Sequence, residues 1–119
     1  MPYARNEADV SAFVDTVERT IGPMEVLVFN IGANVRFPIV ETTTRVYSKV
    51  WEMAALAGFL SSREAARVMV PRGRGAILFT GATASLRGGA GFAPSTRCAR
   101  WCRVWRAKSG RRACMWRMW

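Results

Sequence analysis

At 119 residues the chain is long enough for one domain and too short for two ordinary ones, and its hydrophobic content of 50% argues against general disorder. The formal net charge of +10 would suit a polyanionic partner, but residues 1–92 contribute only +2 of it and residues 93–119 contribute the other +8. No apolar run reaches the length of a membrane span and the N-terminus is polar rather than signal-like, so a cytoplasmic protein is expected.

The first predicted element is a helix over residues 6–20. Asn6 is a suitable N-cap, with acidic residues in the first turn, and Gly22 followed by Pro23 ends the helix. A short apolar run, Val26–Phe29, comes next. Because this run lacks polar alternation, it predicts a strand that is buried on both faces.

A long helix is predicted from about Thr43 to Val70, where apolar residues recur at helical spacing. The polar cluster Glu41–Thr44 marks its start, and residues 71–75, with one proline and two glycines, mark its end. Ala76–Phe79 then predicts a second buried strand. The order of helix, strand, long helix and strand is typical of an α/β fold with a parallel sheet.

Asn30, Ile31 and Gly32 directly follow the first predicted strand. Ligands of open α/β sheets bind at the carboxyl ends of strands, and a glycine there allows a ligand to approach the backbone closely. The asparagine amide can also simply hold the chain in a turn. From these residues alone, a ligand site and a plain turn between strand and loop are equally compatible with the sequence.

Three segments, in order, resemble the short-chain dehydrogenase/reductase family: VLVFNIGA, the helix with VWEMAALAGFLSSREAARVM, and RGAILFTGATASLRGGAGF. The resemblance implies a partial Rossmann-like domain over residues 1–92, with a doubly wound parallel sheet. It also implies hydride transfer between NAD or NADP and an alcohol or carbonyl. Asn30, Ile31 and Gly32 match the family's Asn-Ala-Gly element and are expected to bind the cofactor. The helix at Thr43–Val70 matches one through which many members dimerise, which implies a homo-oligomer or a partner from the same family.

Other family features do not occur at their expected positions. The strand and glycine-rich turn that hold the cofactor pyrophosphate would precede Met1, so an N-terminally truncated fragment is expected, and cofactor binding by the fragment alone is not favoured. The catalytic serine position falls on Ala82 and the asparagine position on Ala55, and neither tyrosine nor lysine occurs shortly after Phe92. No catalytic residue is therefore assigned, and the chain as written is expected to be inactive.

Residues 93–119 form a basic tail that contains all three cysteines and four of the five tryptophans. One choice of synonymous codons for residues 97–119, read one nucleotide out of register, encodes a helix, a turn glycine and a strand like the family's next segment. We therefore predict that the tail is out of frame. The alternative is a module that binds nucleic acid or an anionic membrane through arginine and tryptophan. With three cysteines and no histidine, no metal site is predicted.

Overall fold

A computed structural model describes residues 4–31 and 35–80 of the chain. Within these residues lie three α-helices and two strands: α1 (Glu7–Thr20), β1 (Val26–Phe29), α2 (Thr44–Trp51), α3 (Ala57–Met69) and β2 (Ala76–Phe79). A short 3-10 turn spans Ile39–Glu41, and a π-helical segment, Glu52–Leu56, joins α2 to α3. The strands pair in parallel, with Val26 opposite Ala76 and Phe29 opposite Phe79. The predicted α/β fold with a parallel sheet is confirmed.

Helix α1 begins at the cap that the sequence predicts. The side-chain oxygen of Asn6 accepts hydrogen bonds from the N–H groups of Ala8 at 3.0 Å and Asp9 at 3.5 Å. These bonds satisfy backbone donors that have no partner within the helix. Val10 and Val14 are buried on the side of α1 that packs against α3. The cap therefore fixes where α1 starts, and its apolar stripe fixes which face is covered.

The core lies between α3 and the sheet, and it orients α3 along the strands. Met69, near the end of α3, packs with Ala65 and Ile77. At the other end of α3, a Cβ added to Gly58 would lie 3.1 Å from Cε1 of Phe79 and 3.4 Å from Cε1 of Phe29. The beginning of α3 therefore lies over the carboxyl ends of both strands, and its end lies over their beginnings.

The prediction that β1 is buried on both faces is wrong for the structure described. Phe29 is buried and Leu27 packs against the core, whereas Val26 and Val28 are 54% and 57% exposed. Alternate side chains of a strand point to opposite faces of the sheet. Within residues 4–31 and 35–80 the helices cover one of those faces, so Val26 and Val28 stay open to solvent.

The long helix differs from the prediction at one place. Thr43 caps α2, since its hydroxyl accepts a hydrogen bond from the N–H of Val46 at 3.3 Å. Eight residues after α2 begins, the helix widens into the π-helical segment, where the N–H of Ala57 donates to the carbonyl of Glu52, five residues earlier. The apolar pattern keeps its helical spacing through this turn, so the spacing alone could not reveal it.

A paired carboxylate holds the end of α1 to the turn after α3. Arg72 donates to both carboxylate oxygens of Glu18, at 2.5 and 3.0 Å, and also to the carbonyl of Met24 at 3.0 Å. Glu18 accepts a further bond from the N–H of Met24 at 2.7 Å. The hydrogen bond from Arg72, followed by that from Met24, lowers the pKa of Glu18 from 4.5 to about 2.

Acid is expected to weaken this connection. Because the pKa of Glu18 is lower in the folded chain than in the unfolded one, its stabilising effect is complete above pH 4.5 and is lost as the pH falls toward about 2. Unfolding by urea across that range should show stability falling with pH, and Glu18→Gln should flatten the profile. The control Glu25→Gln breaks an exposed pair with Arg74. An equal flattening in both variants would contradict a specific role for Glu18.

Candidate functional site

The carboxyl ends of β1 and β2 bring Asn30 next to Thr80. The N–H of Thr80 donates to the carbonyl of Phe29 at 3.1 Å, which extends the strand pairing by one residue. The hydroxyl of Thr80 donates to Oδ1 of Asn30 at 2.5 Å and lies 3.4 Å from the carbonyl oxygen of Phe29. We call Asn30, Ile31 and Thr80 the carboxyl edge. Two residues that lie fifty positions apart in the sequence thus form one polar pair.

The carboxyl edge is polar and accessible, and it lies above an aromatic layer. All three of its residues are exposed. Directly before them in the two strands, the rings of Phe29 and Phe79 pack with their centroids 5.4 Å apart. The edge can therefore offer hydrogen-bonding groups and an apolar isoleucine side chain to a ligand. It contains no titratable side chain, so it can hold and orient a ligand but cannot transfer a proton.

The π-helical segment lies at the same end of the sheet as the carboxyl edge. It immediately precedes Ala57 and Gly58, and Gly58 contacts the two aromatic rings. Single π turns within α-helices occur frequently at functional sites. The segment contains Ala55, the position at which the family resemblance leads us to expect an asparagine. The methyl group of Ala55 can neither donate nor accept a hydrogen bond, so it cannot support a proton relay.

A second cluster of paired charges lies between α1 and α3. Glu64 is only 6% exposed, and its carboxylate accepts from Arg67 at 2.8 Å and Arg63 at 3.1 Å. These arginines also reach α1, where Arg63 pairs with Glu7 and Arg67 with Asp15. Burial acts to raise the pKa of Glu64, but the hydrogen bonds from Arg67 and Arg63 outweigh it and hold the pKa below its usual value. This carboxylate stays ionised and is structural.

The structure places two of the three predicted cofactor residues, Asn30 and Ile31, at the carboxyl edge. Gly32 lies outside the described residues, as do Ala82 and the whole basic tail at 93–119. Cofactor binding by these residues stays a prediction. Thr80 is the site residue that the sequence analysis missed. The sequence feature that could have identified Thr80 is its position directly after the second strand, which corresponds to the position of Asn30 after the first strand.

Two classes of site can be checked in the described part of the chain. Residues 4–31 and 35–80 contain no group of three or more His, Cys, Asp or Glu side chains arranged to hold a metal ion. The helices in those ranges are also too short or too polar to cross a membrane.

Known proteins match most of the chain. The sequence model of the short chain dehydrogenases matches residues 4–95. Short chain aldehyde dehydrogenase 1 of Euphorbia lathyris is 34% identical over 77 residues, which cover 63% of this chain and 27% of that protein. Gluconate 5-dehydrogenase of Gluconobacter oxydans (strain 621H) is 32% identical over 91 residues, or 74% of this chain and 36% of that protein. The chain thus spans about a quarter to about a third of these relatives.

Solved structures show the same fold. A short-chain dehydrogenase from Rhodopseudomonas palustris matches 86% of this chain and 48% of its own, with a TM-score of 0.78 and 56% identity. A 7α-hydroxysteroid dehydrogenase, solved with NADH and 7-oxo glycochenodeoxycholic acid, matches 86% of this chain and 40% of its own, with a TM-score of 0.77. At 20% identity, this second likeness supports the fold alone. The partial Rossmann-like fold is confirmed, and the chain belongs to the short-chain dehydrogenase family.

Proposed function

We propose that this chain is part of a nicotinamide-dependent oxidoreductase that interconverts an alcohol and a carbonyl. The observation that carries the proposal is the carboxyl edge, where Asn30 follows β1 in the place of the family's Asn-Ala-Gly element. The edge lies within the segment that matches the family, residues 4–95. Membership of this family supports a nicotinamide cofactor for this chain, and a dehydrogenase of the same fold was solved with NADH. The choice between NAD and NADP is left open.

The groups at the carboxyl edge fit such a cofactor. Asn30 accepts a bond from Thr80 with its Oδ1, which leaves its amide Nδ2 as a donor. Ile31 is exposed and adds an apolar surface, and Gly32 follows it in the sequence. We expect these three residues to contact the cofactor, in keeping with ligand binding at the carboxyl ends of parallel strands. The cofactor would supply or accept the hydride, and the chain would hold it in place.

We further propose that the 119-residue chain does not catalyse the reaction by itself. Its only tyrosines, Tyr3 and Tyr47, both precede the segment where the family's catalytic tyrosine is expected. Ala55 replaces the expected asparagine with a methyl group. The lack of tyrosine and lysine shortly after Phe92, together with the alternative codon reading, supports a division into a family domain at 1–92 and an out-of-frame tail at 93–119. A cytoplasmic location is part of the same proposal.

Self-association through the long helix is proposed as well. Tyr47, Trp51, Met53 and Phe59 expose large apolar side chains along α2, the π-helical segment and α3. Large apolar side chains exposed along one helical stretch favour a protein partner. A second copy of the chain, or another member of the family, would suit this surface.

Asn30→Asp tests the function with a matched control. We expect NADH to bind the wild-type chain weakly, with a dissociation constant of about 1 mM, because the site is partial. Asn30→Asp should weaken binding about tenfold or more, since it removes the amide donor and adds a negative charge facing an anionic ligand. Asn6→Asp makes the same chemical change at a helix cap, where aspartate caps equally well.

Saturation-transfer NMR measures NADH binding by both variants, which carry the same net charge. The expected result is a reduced signal for Asn30→Asp and a wild-type signal for Asn6→Asp. Equal signals in the two variants would show that NADH does not contact Asn30. No transfer to NADH from the wild-type chain at 10-fold the expected dissociation constant, about 10 mM, would overturn cofactor binding by this chain.

A further inference from the structure

Thr80 makes two separable contacts across the sheet. Its backbone N–H donates to the carbonyl of Phe29 at 3.1 Å, and this bond alone continues the pairing of the strands. Its hydroxyl contacts Oδ1 of Asn30 at 2.5 Å, much closer than the carbonyl of Phe29 at 3.4 Å. Thr80 is exposed, so its side chain adds little to the packing of the core. The strand pairing therefore does not depend on the hydroxyl, whose nearer partner is the side chain of Asn30.

The contact selects one orientation of the Asn30 amide. The oxygen and nitrogen of an asparagine side chain have nearly the same shape, so an exposed amide without a partner is free to rotate. The hydrogen bond that the Thr80 hydroxyl donates to Oδ1 stabilises the orientation in which Nδ2 points away from Thr80. A donor that is held in place before the ligand arrives loses less conformational entropy on binding.

We propose that Thr80 is a positioning residue that orients the Asn30 carboxamide, so that Nδ2 is presented as a fixed hydrogen-bond donor. The ligand group that suits this donor is an oxygen acceptor, such as a carbonyl, hydroxyl or phosphate oxygen. The identification of that ligand as a nicotinamide dinucleotide rests on the proposed function. The orientation of Asn30 by Thr80 does not depend on it.

The orientation is tested first in the wild-type chain without ligand. The Asn30 Nδ2 group should give one pair of amide resonances with an order parameter near that of rigid backbone, about 0.85. A value below about 0.6 would show a freely moving amide and would overturn the proposal, whatever any variant does.

Two substitutions then separate the hydroxyl from the shape of the side chain. Thr80→Val keeps the branched shape and removes the hydroxyl, while Thr80→Ser keeps the hydroxyl. We expect Thr80→Val to mobilise the Asn30 amide and to weaken NADH binding about three- to tenfold, the effect of losing one hydrogen bond. Thr80→Ser should restore both the resonances and the affinity. Far-UV circular dichroism checks that each variant is folded.

The outcomes distinguish this inference from the proposed function. If Thr80→Val leaves the Asn30 resonances unchanged, Thr80 does not orient Asn30 and the inference fails. If the resonances respond as expected but the wild-type chain does not bind NADH, the inference stands and the proposed function fails. If Thr80→Val and Thr80→Ser both weaken NADH binding equally, the hydroxyl is not the group responsible, and this would also contradict the inference.

Discussion

Met69→Ala is expected to lower the free energy of unfolding by about 3 kcal/mol, within the range of about 2–5 kcal/mol for truncation of a large buried side chain. Met69 is 0% exposed and packs with Ala65 and Ile77 between α3 and the sheet. Removal of its side chain leaves a cavity where the helix covers β2. Because domains of this size are stable by only about 5–15 kcal/mol, the loss is a large part of the total.

Unfolding by urea, followed by circular dichroism, measures the effect. The matched control is Val70→Ala at the next residue, which is 48% exposed. A surface truncation of this kind should change stability by about 0.5 kcal/mol or less. Similar losses at both positions would show that the helix does not pack on the sheet through Met69.

Gly75→Ala is expected to destabilise the chain by about 2–5 kcal/mol, through backbone strain and overpacking together. Gly75 has φ of +145°, a conformation that other residues rarely adopt. A Cβ at this position would lie 2.6 Å from Sδ, 2.7 Å from Cγ and 2.9 Å from Cβ of Met69. Since Met69 is fully buried, it cannot move aside without disturbing the core.

Gly22→Ala separates the cost of backbone strain from the cost of overpacking. Gly22 has a similar φ of +133°, but an added Cβ there would meet nothing within 4 Å. We expect it to cost only the strain, about 1–3 kcal/mol. In the Met69→Ala background, Gly75→Ala should cost less than it does in the wild type, because Sδ and Cγ are gone. Equal costs at Gly22 and Gly75, or strict additivity with Met69→Ala, would contradict the close contact.

The local elements could be predicted because their signals are local. Asn6 caps α1, and Val26–Phe29 and Ala76–Phe79 form strands at the predicted bounds. Each is delimited by glycine, proline or polar residues, whose conformational preferences act within a few residues. The family could also be predicted, since three segments carry its pattern in order along the chain.

Features that depend on distant contacts could not be read from the sequence. The exposure of Val26 and Val28 depends on which faces of the sheet the helices cover, and apolar composition alone does not give this. The pairing of Thr80 with Asn30 depends on the register of two strands that lie fifty residues apart. The apolar residues across the π-helical segment keep the sequence spacing of an ordinary α-helix, so the sequence does not reveal the wider turn. That the tail at 93–119 is out of frame stays a prediction, which rests on one choice of synonymous codons for residues 97–119.

The most direct test of the carboxyl edge as a cofactor site is a 1H–15N NMR titration of the full chain with NADH. Saturable shifts are expected for Asn30, Ile31 and Thr80, where the strands end. Val26 and Ala76, paired at the beginnings of the same strands, should not shift. Shifts confined to the Val26 and Ala76 end, or no shift at any of these residues, would contradict cofactor binding at the carboxyl edge.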